Sequence, residues 1–175
     1  RRIAHVRALE SAGSEVMVVS ADVTDLAQMR DVAARARERF GAIHGVIHAA
    51  GLATGGMIAM RTAEGAGQVL DPKVKGTLVL QDVLRGDQLD FFLLCSSINS
   101  LIPVVGAADY CGDNAFLDAL AQSSDLGSGT PFISANWDTW SEIGMAVDAE
   151  LRAEQREARA ADLADGIESA EGAEA

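Results

Sequence analysis

The chain has 175 residues and a formal net charge of −12, set by 26 acidic against 14 basic side chains. That balance disfavours a nucleic-acid partner, while an apolar share of 49 % is too high for a disordered chain. No apolar run approaches the roughly 18 residues of a membrane span, and no signal peptide opens the sequence, so a cytoplasmic setting is expected. From the N-terminus, Ile3, Val6 and Leu9 fall near helical spacing and Gly13 supplies a helix stop. Glu15 to Ser20 reads as a strand through Val16, Met17, Val18 and Val19. Thr24 or Asp25 caps a second helix whose apolar face is Leu26, Met29, Val32, Ala33, Ala36 and Phe40. Gly45 to Ala49 is a short buried strand. Ala63 to Leu84 is helical, with a break expected near Asp71-Pro72 because proline suits a helix start.

Phe91 to Cys95 is the next strand, a helix follows over about 107–121, and Phe132 to Trp137 is the last strand. The segment from Ser123 to Thr130 is a small, polar loop. Residues 141–175 hold 10 acids and 3 bases, and read as a solvated helical tail. Cys95 and Cys111 are too few and too isolated for a disulfide framework, and no Cys/His spacing suggests a metal. Short apolar strands separated by amphipathic helices imply an α/β fold, a doubly wound parallel sheet with helices on both faces. Ligands of such folds sit beyond the carboxyl ends of the strands. Asp22, His48-Ala49-Ala50-Gly51, Ser96-Ser97 and Asn136-Trp137 all fall at those ends.

Tyr110 and Asn114 are four residues apart on one helix and share a face. Ser97 ends a strand 13 residues before Tyr110, and Lys73 lies 24 residues before Ser97 on an earlier helix. A tyrosine, a serine and a lysine can form a carbonyl-reducing site without a metal. A phenol holds its proton until about pH 10, and a nearby ammonium stabilises the phenolate. The serine hydroxyl can hold the substrate oxygen while tyrosine donates a proton to it. Each residue also has a plainer reading: packing for the tyrosine, a turn or cap for the serine, solvated surface for the lysine and the amide.

The motifs Ala21-Asp22-Val23-Thr24-Asp25, Val46-Ile47-His48-Ala49-Ala50-Gly51, Pro72-Lys73-Val74-Lys75-Gly76-Thr77, Cys95-Ser96-Ser97, Tyr110-Cys111-Gly112-Asp113-Asn114 and Asn136-Trp137-Asp138-Thr139-Trp140 stand in order along nearly the whole chain. This pattern resembles the ketoreductase domains of type I modular polyketide synthases, within the short-chain dehydrogenase/reductase superfamily. Ordinary superfamily members carry lysine four residues after the tyrosine. Here Asn114 stands there and the lysine is upstream, as in polyketide and animal fatty-acid ketoreductases. Lys75 competes on paper, but lies about 200° around the helix from Lys73, and the family pattern selects Lys73. The resemblance implies catalytic Lys73, Ser97, Tyr110 and Asn114. It implies NADPH contacts at Asp22 and Val23 (adenine) and at Ala49, Ala50 and Gly51 (cofactor backbone), with Trp137 and Trp140 walling the substrate entrance. For the two tryptophans, core packing stays an open alternative, and His48 is read as structural.

The implied reaction is NADPH-dependent reduction of a β-ketoacyl group to a β-hydroxyacyl group. Its substrate would ride on the phosphopantetheine of an acyl carrier protein, beside other synthase domains in cis. The alternatives are a catalytically silent domain of the same fold and a free-standing short-chain dehydrogenase. Residues 1–145 would be the partial Rossmann-like domain, and 146–175 a lid helix and the start of a C-terminal helix. The glycine-rich phosphate loop is not in this sequence, and Gly65-Ala66-Gly67 does not follow a strand and is read as a decoy. Two stereochemical signatures of the family are also missing, with Ala53-Thr54-Gly55 and Ile102 in their places, so no product configuration is assigned. The chain is thus expected to be a fragment lacking the first βαβ unit and the last strand. By the superfamily order, two strands would lie between residues 15–22 and 45–49. Residues 15–22 should therefore be detached from the sheet, or re-paired with 45–49.

Overall fold

A computed structural model describes residues 2–53, 56–123, 129–148, 160–161 and 163–174. Three parallel strands, β1 (Gly45–His48), β2 (Phe91–Ser97) and β3 (Phe132–Trp137), form one sheet in the order β1-β2-β3. The main helices are α1 (Arg2–Ser11), α2 (Leu26–Phe40), α3 (Ala63–Val83) and α4 (Ala108–Gln122). The α/β class and the parallel sheet are as the pattern of short apolar strands and amphipathic helices implies.

Alternation along the strands decides which face is covered. Phe92 and Leu94 of β2 point to one side and are fully buried, in one core cluster with Leu117 of α4, Leu80 of α3 and Ala33 of α2. Phe92 stacks on Phe132 of β3 with ring centroids 4.7 Å apart. The residues of opposite parity pair across the sheet as Ile47, Leu93 and Ile133. Of these, Ile47 is 64 % exposed and Ile133 47 %. The helices that pack on the sheet thus lie against its Phe92–Leu94 face. Arg37 ties α2 to the end of α3, donating to Asp87 Oδ1 at 2.9 Å and to the Val83 carbonyl at 3.2 Å.

Three expectations change. Residues 14–22 form no strand, the detached outcome of the two anticipated, and Val18 is 71 % exposed. A lone extended segment has no ladder to satisfy its backbone groups, and none of the described residues supplies the strands that would stand between it and β1. The break at Pro72 does not occur, since α3 runs through it. Val69, Lys73, Thr77 and Leu80 form a buried stripe across the proline, so tertiary packing overrides the missing N–H. The apolar positions Ile3 and Leu9 of α1 and Phe40 of α2 are exposed, because no described element packs over them.

Local signals hold elsewhere. Asp25 is the N-cap of α2, accepting from the Ala27 and Gln28 amides. Gly13 has φ of 92°, the left-handed conformation that suits glycine after a helix. Gly65 and Gly67 lie in the opening turns of α3 behind the cap Thr62, not in a strand-to-helix turn. Lys73 is buried and Lys75 exposed, as the 200° separation requires. Thr54 and Gly55, residues 124–128 of the polar loop, and 149–159 of the acidic tail lie outside the described residues. Ser169–Glu174 is a short helix, and no described helix is long and apolar enough to cross a membrane.

Candidate functional site

The carboxyl ends of the three strands lie side by side, with Ser97 of β2 in register with Trp137 of β3. Above them α3 and α4 pack together, and each lends polar groups. Lys73 is almost fully buried on α3. Its Nζ donates to the Cys95 carbonyl at 3.0 Å and to Asn114 Oδ1 at 2.5 Å, and lies 5.3 Å from the centroid of the Tyr110 ring. Burial pushes the Lys73 ammonium down from its ordinary value, against the opposing charges of Asp113, Cys95 and Asp118. Thr77 Oγ1 donates back to the Lys73 carbonyl.

Asn114 is fully buried one helical turn beyond Tyr110. Its Nδ2 donates to the Tyr110 carbonyl at 2.6 Å and to Asp113 Oδ1 at 2.9 Å. Its own carbonyl accepts from Ser96 Oγ at 3.2 Å, which pins α4 to β2. Ser97 is buried at the strand end, and its Oγ accepts from the Asn99 amide at 3.2 Å. The structure therefore brings Lys73, Tyr110 and Asn114 into one cluster, with Ser97 at the adjoining strand end.

The stretch after β1 supplies small residues. Ala49 and Ala50 are exposed. A Cβ at Gly51 would stand 2.9 Å from Lys73 Cε, so only glycine leaves the lysine in place. Asp22 is exposed and spends its Oδ1 on the Thr24 amide and hydroxyl, both at 2.9 Å. Those bonds hold its carboxyl below the usual range. Val23 packs on Gly76 of α3. Of the four strand ends anticipated, three meet. Asp22 comes from a loop, linked to the rest through Val23.

Trp137 and Trp140 touch edge to face, with centroids 5.1 Å apart. Trp140 is also covered by Gly172 of the short helix Ser169–Glu174, where a Cβ would overlap its ring. His48 is buried at the end of β1. Burial holds its imidazole down to about 4, so it is neutral at ordinary pH, in keeping with a structural place. Ile102 is exposed.

Two carboxylates of this region were not singled out from the sequence. Asp113 is fully buried, and its carboxyl is pushed up to about 7, chiefly by desolvation. Asp118 Oδ2 accepts from Ser100 Oγ at 2.5 Å and Asn136 Nδ2 at 2.9 Å, while Oδ1 accepts from Ser134 Oγ at 2.5 Å. Asp118 had a visible signal, since Tyr110, Asn114 and Asp118 are spaced i, i+4, i+8 on one helix face. Arg61 and Asp109 form a further, mostly buried ion pair just before Tyr110.

Comparison with known proteins shows the family and the fold. The family model of the KR domain matches residues 1–142. Polyketide synthase PksM of Bacillus subtilis is 36 % identical over 146 residues, covering 83 % of this chain and 3 % of that protein. The 6-methylsalicylic acid synthase of Penicillium expansum is 34 % identical over 157 residues, covering 86 % of this chain and 9 % of that protein. Among solved structures, a ketoreductase domain from the bacillaene assembly line superposes with a TM-score of 0.81 at 32 % identity. That superposition covers 97 % of this chain and 41 % of the solved one. The chain spans only a small part of its curated relatives and less than half of that solved ketoreductase chain. With the family model across most of its length, and with relatives and fold in agreement, the chain belongs to the KR-domain family of polyketide synthases and covers part of that domain.

Proposed function

We propose that this chain forms the reacting part of an NADPH-dependent ketoreductase. In this reading it reduces a β-ketoacyl chain, held on the phosphopantetheine of an acyl carrier protein, to the β-hydroxyacyl form. It works in the cytoplasm beside other synthase domains in cis. The observation that carries the reading is the buried Lys73 ammonium, fixed by the Cys95 carbonyl and Asn114 Oδ1, with Nζ 5.3 Å from the Tyr110 ring centroid. A charge held there stands beside the ring on which negative charge would develop during proton transfer. Tyr110 donates that proton to the substrate carbonyl oxygen, Ser97 holds the same oxygen by a hydrogen bond, and Lys73 stabilises the phenolate left behind. Asn114 holds Lys73 at its post.

The nicotinamide group, when bound, supplies the hydride that reaches the carbonyl carbon. The residues present fit one side of such a cofactor. Ala49 and Ala50 offer exposed small side chains at the carboxyl end of β1, and Gly51 leaves no room for a Cβ beside Lys73. Asp22 and Val23 would meet the adenine, and Trp137 and Trp140 would flank the acyl chain, with residues 146–175 supplying a lid helix and the start of a C-terminal helix.

The test is turnover of a β-ketoacyl thioester by the full-length protein. Tyr110→Phe should lower kcat about 100-fold or more with cofactor affinity little changed. A variant that keeps turnover overturns the assignment, and one that loses NADPH binding equally points to a structural tyrosine. A wild-type protein inert on carrier-bound β-ketoacyl chains would favour the silent-domain alternative. The 175-residue chain alone should bind NADPH weakly, since no glycine-rich loop in it can hold the pyrophosphate, and fluorescence titration reads this directly.

A further inference from the structure

We propose that Asp113 is a positioning residue for Lys73, fixing the orientation of the Asn114 amide and supplying the negative charge that keeps the ammonium protonated. This rests on the reading of Lys73 and Tyr110 given above. Asn114 has two chemically different amide ends. Its Nδ2 faces two acceptors, the Tyr110 carbonyl at 2.6 Å and Asp113 Oδ1 at 2.9 Å, while its Oδ1 receives Lys73 Nζ at 2.5 Å. Rotating the amide by half a turn would set NH2 against NH3+ and oxygen against two oxygens. The Tyr110 carbonyl already belongs to the i→i+4 ladder of α4. The carboxylate of Asp113 is the side-chain acceptor that faces Nδ2, so it selects the orientation that presents oxygen to the lysine.

A carboxylate is an expensive group to bury, and Asp113 is fully buried with Oδ2 lacking a hydrogen-bond partner. An opposite charge nearby is what offsets such a cost. Lys73 is that charge, drawing the Asp113 carboxyl down, while burial and the neighbouring Asp109 push it up. In return Asp113 is the foremost influence resisting the desolvation of Lys73. The other ionisable groups around Lys73 among the described residues are Tyr110 and Asp118 of α4, Cys95 of β2 and His48 of β1. An ionised Asp113 keeps Lys73 charged to higher pH. Loss of that charge lets Lys73 shed its proton sooner.

Two experiments decide it. In the full-length protein, Asp113→Asn keeps the size of the side chain and an acceptor for Asn114 Nδ2. Its kcat–pH profile should show the basic limb moved down by about one unit or more, with the cofactor KM unchanged. A profile of unchanged shape, whatever the height of its maximum, overturns the proposal. Independently of activity, a carbon-13 titration of the Asp113 carboxyl in selectively labelled protein should place its midpoint higher in Lys73→Met than in wild type. A midpoint that Lys73→Met does not move also overturns it. If Tyr110→Phe retained turnover, the catalytic reading would fall while the carboxyl titration would still judge the Lys73–Asp113 coupling.

Discussion

Asp118 joins three segments that are distant in sequence, and its removal should be felt by the whole sheet. It sits on α4, yet its carboxylate accepts from Ser100 after β2 and from Ser134 and Asn136 on β3. A hydrogen bond to a charged group contributes roughly 1.5–3 kcal/mol. Three would total about 4.5–9 kcal/mol if each donor were stranded. The donors are only part-buried, and Asn136 Nδ2 also reaches Ser100 Oγ at 2.8 Å, so much of that is recovered by water and by the remaining bond. Asp118→Ala should therefore destabilise by about 2–4 kcal/mol, read by urea unfolding followed by circular dichroism at pH 7. A loss below about 0.5 kcal/mol, the level of an ordinary surface change, would show that these bonds do not tie α4 to the sheet. Burial works to raise the Asp118 carboxyl, but the bonds from Ser100, Ser134 and Asn136 outweigh it and leave the group below its usual value. The unfolded reference is about 3.9. A carboxyl depressed in the folded state contributes stability that is present above that reference and is lost as pH falls through the folded value. Asp118→Asn should thus flatten this part of the acid side of the stability–pH curve.

Phe92→Ala removes a buried ring stacked on Phe132 and should cost about 3–5 kcal/mol in the same unfolding assay. Gly76→Ala sets a Cβ 2.8 Å from Val23 Cγ1. The helix gains up to about 1 kcal/mol from alanine, but overpacking costs about 1–3 kcal/mol, so the variant should be less stable by chemical denaturation. His48 is neutral in the fold down to about 4, because burial opposes its charging, whereas the unfolded chain takes up that proton near 6.5. Stability should accordingly fall as pH drops from about 6.5 toward 4, and His48→Asn should lose this dependence when unfolding midpoints at pH 7 and pH 5 are compared.

The elements that were legible are those whose signal is local. The cap Asp25, the stop at Gly13, and the apolar runs of β2 and β3 each determine a piece of backbone through neighbours a few residues away. The segment from Glu15 to Ser20 carries the same apolar run and forms no strand. Its composition states a willingness to pair, and pairing depends on a partner that composition does not encode. Pro72 errs in the opposite direction. Local chemistry argues for a break, and the buried stripe from Val69 to Leu80 holds α3 together through it, with Lys73 bonded to the Cys95 carbonyl of β2 and Leu80 in the core with Phe92, Leu94 and Leu117.

The site follows the same division. The i, i+4 relation puts Tyr110 and Asn114 on one face, and the 200° between Lys73 and Lys75 leaves one lysine for the interior. Asp113 escapes such reasoning because a helical wheel turns it about 100° from Asn114. It is buried only because α4 has neighbours on two sides, α3 and the sheet. The same packing governs a site whose lysine and tyrosine come from different helices. Were the lysine on α4, the helix itself would set its distance from the phenol. With Lys73 on α3, the distance is set by how α3 and α4 pack, by the contact of Gly76 with Val23 behind α3, and by Ser96 holding the Asn114 carbonyl from β2. Substitutions at those three places can each move the ammonium relative to the ring, and under the proposed reaction a misplacement of about 1 Å there would slow proton transfer.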